Sequence, residues 1–169
     1  VVSTVTKTAI DGGYKCTCTS PTLKDGSHTI SVKASDNDGN AAAAKTATFT
    51  VDTVPPTLQI TAPSNGLITN KKTVTVSGTT DDVSSKPVTV TVNGATVTVG
   101  TDGTFTKDVT LAEGANTITI VAKDKAGKTT TVTRKVTVDT SAPVIKSVTL
   151  TPNPVDCGKT FIIAVEITD

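Results

Sequence analysis

DGTFTKDVTLAEGANTITIVAKDKAGKTTTVTRKVTVDTSAP, Asp102 to Pro143, decides how this chain reads, because its pattern has already occurred once between Asp11 and Pro56. LKDGSHTISVKASDNDGN (Leu23 to Asn40) lies over LAEGANTITIVAKDKAGK (Leu111 to Lys128), and TFTVDTVPP lies over KVTVDTSAP. Both copies close on Val-Asp-Thr and then proline. A period of roughly 87 residues is far longer than a solenoid repeat, so each unit is a small domain and the chain is a tandem array.

Composition points the same way. Threonine and valine dominate, and β-branched side chains suit a pleated surface better than a helix. A net charge of +1 with both signs interspersed offers no nucleic-acid footprint and no membrane-surface patch. No apolar run has the length of a membrane span. No signal peptide is read either, so the sequence is expected to be a processed or excised part of something longer.

In the first unit, strands are predicted over Val1 to Ala9, Tyr14 to Thr19, His28 to Ala34 and Ala43 to Val51. Asp36-Asn37-Asp38-Gly39-Asn40 forms a polar hairpin tip, and Asp52 to Pro56 a proline-stiffened linker. The second unit carries strands at Thr57 to Thr61, Thr73 to Ser77, Val88 to Val92, Ala95 to Val99, around Phe105 to Leu111, Thr117 to Val121 and Thr131 to Val138. Asn93-Gly94 is a type I′ hairpin signal, since both central positions need positive φ. Seven short alternating strands describe an immunoglobulin-like β-sandwich without the buried tryptophan and inter-sheet disulfide of antibody domains. The last segment offers Val144 to Leu150, a loop at Thr151 to Pro154, and a strand lined by Phe161, Ile163, Val165 and Ile167.

The fold expected is therefore all-β: tandem immunoglobulin-like sandwiches, a complete one at residues 55–141 between partial ones at 1–54 and 142–169. The outer parts are complementary, strands three to seven at one end and one and two at the other. Each alone would leave an open edge and an uncovered apolar face. Either the sequence is a window of a longer array, or each chain donates its last strand pair to the next and builds a filament.

VTVNGATVTVGTDGTFTKDVTLAEGANTITIVAKDKAGKTTT resembles the bacterial immunoglobulin-like repeats of surface proteins and secreted polysaccharide-degrading enzymes, notably the type related to domain B of glucodextranase. The resemblance covers Pro55 to Pro143 well and Asp11 to Thr53 in part. It implies stalks, spacers and adhesive modules, and supplies no shared active site.

Candidate chemistry is sparse. His28 has no second histidine to make a zinc site or triad, and the serines lie in no nucleophile elbow. Asp81 and Asp82 are expected in an interstrand loop with room to face the tip holding Asp124, and Asp36 and Asp38 sit on the equivalent tip of the first unit. These five are candidate Ca²⁺ ligands, although no glutamate follows at EF-hand spacing and Asx-turns account for the same residues. Tyr14, Phe49, Phe105 and Phe161 fall on inward strand positions, which leaves no ring platform for sugar. Cys16 and Cys18 share one face of a strand, too close in sequence to bridge each other easily. Cys157 precedes the second strand of the last segment, a position that lies beside the fifth strand in an immunoglobulin sandwich. A bridge from Cys157 to Cys16 or Cys18 would staple a composite domain; otherwise all three are free thiols.

The expectation is an extracellular or cell-surface structural module forming a stalk or filament, with no catalysis and no cofactor other than the Ca²⁺ just considered. Its partners are identical chains or neighbouring repeats end to end, with a cell-surface or glycan ligand at the loops as a further candidate. An accessory module of a secreted glycan-active enzyme, or an adhesin's ligand-binding module, is the alternative.

Overall fold

The computed structural model describes residues 5–151, 153, 154 and 156–169. The expected strand residues Val1 to Thr4 and the loop residue Pro152 lie outside them. Fourteen strands account for the regular structure among the described residues, in agreement with the all-β reading.

Eight of the strands build one two-layered sandwich. One sheet takes β10 (Thr104–Thr110), β7 (Thr73–Asp81) and β5 (Thr57–Ala62), in that order. The other takes β6 (Leu67–Thr69), β12 (Thr129–Val138), β11 (Gly114–Lys123), β8 (Thr89–Val92) and β9 (Ala95–Val97). Alternation makes the core: Ile118, Ile120 and Ala122 point inward along β11, opposite Val74 and Val76 of β7 and beside Val90, Val92, Val136 and Val138. Each side chain on these inner faces removes its apolar surface from water, the dominant favourable term in folding.

The tight turn at Asn93-Gly94 forms as the sequence implies, with φ of 48° and 81° at its central residues. Asn93 also anchors β11: its N–H donates to Thr119 O at 2.8 Å and its Oδ1 accepts from Thr119 N–H at 2.8 Å.

β6 was not anticipated. Its three residues are too few to show periodicity, and they pair in parallel with β12, Leu67 opposite Val136 and Thr69 opposite Val138. The chain crosses from one sheet to the other between β5 and β6. Arg134 fastens that crossing, donating from Nε to Pro63 O and from Nη2 to Ile60 O, each at 3.2 Å.

Outside the sandwich lie three antiparallel hairpins: β1 (Val5–Ile10) with β2 (Gly13–Cys18), β3 (Gly26–Val32) with β4 (Lys45–Val51), and β13 (Val144–Thr151) with β14 (Ile162–Thr168). The first two ladders run without a slip and the third shifts register between Ile145 and Ser147, but among the described residues nothing covers their apolar faces: Val5, Ile30, Val148, Leu150, Val165 and Ile167 are all exposed. Three of the four aromatic positions read as inward therefore differ from expectation. Phe105 is 3% exposed in the core, whereas Tyr14, Phe49 and Phe161 are 68%, 37% and 48% exposed. Alternation selects the face of a strand, while burial needs a second sheet against that face. Lys7 Nζ lies 5.5 Å from the Tyr14 ring centre, a cation–π contact within the hairpin.

Candidate functional site

Asp124 starts the tip between β11 and β12, where its Oδ1 accepts from Lys128 N–H at 2.8 Å and its own N–H donates to Lys128 O at 3.1 Å. Asp36 builds the same tip in the first unit: Oδ1 accepts from Asn40 N–H at 2.8 Å, and Asp36 N–H donates to Asn40 O at 3.0 Å. The repeat thus reaches to single hydrogen bonds. The tips differ in the second carboxylate oxygen. Asp36 Oδ2 accepts from Asn40 Nδ2 at 2.7 Å, while Asp124 Oδ2 is buried with no hydrogen-bond partner.

Asp82 follows β7 and faces the same space. Its Oδ1 accepts from Ser84 N–H at 2.8 Å and Ser85 N–H at 2.7 Å, which folds the loop so that Ser85 O receives Lys125 N–H at 3.1 Å. The third carboxylate is Asp52, in the linker after β4. Its Oδ1 accepts from Val54 N–H at 3.1 Å, and its Oδ2, like that of Asp124, is buried and unpartnered. The linker is seated on the sandwich just beyond: Pro56 is buried, and Thr130 Oγ1 donates to Pro56 O at 2.5 Å. Carboxylate oxygens of Asp52, Asp82 and Asp124 consequently lie within 4.8 Å of one another. Asp82 and Asp124 are 5% and 4% exposed.

Of the five aspartates singled out from sequence, the structure brings together Asp82 and Asp124. Asp81 points outward and pairs with Lys86 at 2.7 Å, an ammonium that holds its carboxyl below the ordinary range. Asp36 and Asp38 are exposed, and the hydrogen bonds from Asn40 hold the Asp36 carboxyl low as well. Asp52 is not a candidate from sequence, because it falls in the proline-stiffened linker. The signal that points to it is its recurrence as Asp139 in the second Val-Asp-Thr.

The other candidates stay apart from any reactive cluster. His28 is half-buried: Nε2 donates to Lys24 O at 2.7 Å, and its ring centre lies 5.6 Å from that of Phe49. Cys16, Cys18 and Cys157 are exposed free thiols. A shallow cavity of about 310 Å³ is lined by Thr57, Gln59, Thr79, Thr80, Asp81, Lys86, Thr101, Asp102 and Gly103. Its two acids are both held low, Asp81 by Lys86 and Asp102 by the Thr104 hydroxyl and N–H, so neither is a proton donor near neutral pH.

Glu113 adds a pH dependence. Thr140 N–H and Oγ1–H donate to its two oxygens at 2.8 Å each, keeping the carboxyl below its ordinary value of 4.5. A depressed folded-state value contributes stability that is present above 4.5 and lost as pH falls through the lower folded value. Melting temperature is therefore expected to decline below about pH 4.5. Glu113→Gln should flatten that decline slightly, as thermal melts from pH 6 to pH 3 would show.

Among proteins of known sequence, the chain is 35% identical over 140 residues to Bacillopeptidase F of Bacillus subtilis, spanning 83% of this chain and 9% of that protein. Among solved structures it is similar to the fibronectin(III)-like modules of Clostridium thermocellum CbhA, with TM-score 0.43, 19% identity, and coverage of 81% of this chain and 78% of that one. It is also similar to a tetra-tandem repeat in the extending region of a large adhesion protein, with TM-score 0.43, 24% identity, and coverage of 92% and 49%. Residues 1–53 match the model of a bacterial Ig-like domain. Residues 56–140, the linker's last proline and the whole sandwich after it, match glucodextranase domain B, and the chain belongs to that family of immunoglobulin-like domains.

Proposed function

We propose that this chain is a non-catalytic spacer in an extracellular stalk or filament, a stretch of tandem immunoglobulin-like repeats held end to end by strand complementation. The observation that carries the reading is the pair of uncovered apolar surfaces on either side of one complete sandwich, in phase with the sequence repeat. An isolated two-stranded hairpin is marginal in water, and three of them in one chain call for partner strands. Residues 142–169 supply the first two strands of a unit, and residues 1–54 supply the later ones. Such a partner is either the neighbouring repeat of a longer polypeptide or a second copy.

Two copies of the 169-residue sequence joined head to tail in one polypeptide test this. The internal junction should fold into a second cooperative unit: amides of the first copy's β13 and β14 and the second copy's β3 and β4 should gain hydrogen-exchange protection. The outer hairpins should remain fast. If the internal hairpins exchange as fast as the outer ones, complementation by these segments is wrong. In oxidising conditions Cys157 should also form a disulfide with Cys16 or Cys18 across the internal junction, detected by mass spectrometry and abolished by Cys157→Ser.

A second reading is favoured by the Bacillopeptidase F match, in which a segment like this one occupies a small part of a much longer protein named as a peptidase. There the same repeats would be an accessory module carried by an enzyme, with the catalytic groups elsewhere in the polypeptide.

A further inference from the structure

We infer that Asp52, Asp82 and Asp124 form a calcium site that pins the end of the first repeat to the central sandwich. Three carboxylates converge from three separate places in the chain: the linker after β4, the loop after β7 and the tip after β11. Oxygens about 2.4 Å from a shared Ca²⁺ are at most about 4.8 Å apart, so the cluster is of the size that one ion spans.

The stronger evidence is what the protein leaves undone. Asp124 is 4% exposed, and its Oδ2, with that of Asp52, is buried and accepts no hydrogen bond. A buried carboxylate oxygen without a donor is costly, and like charges brought together add to that cost. No lysine or arginine offsets it. Among the described residues the one ion pair is Lys86 with Asp81, on the outer side of the loop. Meanwhile the Oδ1 atoms of all three aspartates are fixed by backbone N–H groups, which hold the carboxylates in place.

The donor set selects the ion. It contains only carboxylate oxygens, with neither imidazole nor thiolate, which favours a hard divalent cation over zinc or copper. Loop-borne aspartates suit the larger and geometrically tolerant Ca²⁺. Mg²⁺ demands near-ideal octahedral geometry and gives up its water reluctantly. Because Asp52 belongs to the first repeat's last strand connection and the other two to the sandwich, the ion would stiffen the joint between them. Asp139 repeats Asp52, so the aspartate on the linker side of the joint recurs at the end of the central repeat.

Calorimetric titration of the chelator-treated 169-residue chain with CaCl₂ is the test. One saturable site is expected, with a Kd of about 1 mM or tighter, the range of extracellular calcium modules. Asp124→Asn and Asp52→Asn should each weaken binding at least about tenfold. Asp52 lies outside both sheets, so loss of binding in that variant, with the circular dichroism spectrum unchanged, cannot come from misfolding. At a fixed concentration of about 1 mM, calcium should raise the melting temperature of the parent chain more than that of either variant. Absence of saturable binding up to about 10 mM would overturn the site. Calcium affinity unchanged in both variants would place the ion elsewhere and equally overturn it, and Mg²⁺ binding more tightly than Ca²⁺ would refute the choice of ion.

Discussion

Phe105→Ala is expected to cost the central sandwich about 3 to 5 kcal/mol, the loss found for a large aromatic removed from a packed interior. The ring is 3% exposed on β10, and its far edge lies over Gly78 of the neighbouring β7. Contraction around the vacated space is limited because the walls are β-ladders: residues 104 to 110 pair with 79 back to 73 without a slip. A domain of this size has a total stability on the order of 5 to 15 kcal/mol, so a large fraction would go. The chain has no tryptophan, and its only tyrosine, Tyr14, sits outside the sandwich. Urea unfolding should accordingly be followed by far-ultraviolet circular dichroism. A lower midpoint at unchanged slope is the expected result, and a shift of less than about 1 kcal/mol would mean that the core closes over the gap.

Gly78→Val should be comparably severe for the opposite reason. A Cβ at this position would stand 2.3 Å from Gln59 O, 2.9 Å from Phe105 Cζ and 3.2 Å from Ile60 Cδ1. The nearest of these is backbone of the adjacent strand, so relief requires β5 and β7 to part where they are paired, Ile60 against Gly78. Overpacking costs typically 1 to 3 kcal/mol, and a backbone obstacle puts this case at about 3 kcal/mol or more. Gly78→Ala should lose less than Gly78→Val, because only the Cβ intrudes. Equal stability of all three proteins would show that the strands separate freely. Pairing the valine variant with Phe105→Leu adds a check, since a smaller side chain above the glycine should recover part of the loss if the ring contributes to the clash.

The glycine also shows where local reading stops. The sequence places a strand at Thr73 to Ser77, which stops immediately before Gly78. The structure carries it on to Asp81, because Gly78 is paired on both sides, with Phe105 and with Ile60, and Gln59 O and the Phe105 ring occupy the space a Cβ would need. Such a contact lies between residues distant in the chain and has no local signature.

Strand identity and face were legible in the residues themselves. The spacing of Ile118, Ile120 and Ala122, the positive-φ pair Asn93-Gly94 and the repeated Val-Asp-Thr are set by backbone geometry over a few neighbours, and they specify an immunoglobulin-like array. Phe105 and Phe49 carry the same alternation, yet only Phe105 is covered, because burial depends on whether a second sheet arrives. The acidic cluster divides in the same way. Asp82 and Asp124 could be suspected because each begins a loop at one end of a sandwich, and that end follows from strand order. Asp52 joins them only because the linker docks, with Pro56 buried and Thr130 bonded to its carbonyl. Periodicity is a property of adjacent residues and can be read along the chain; the meeting of three carboxylates is a property of packing, and only the tertiary structure decided it.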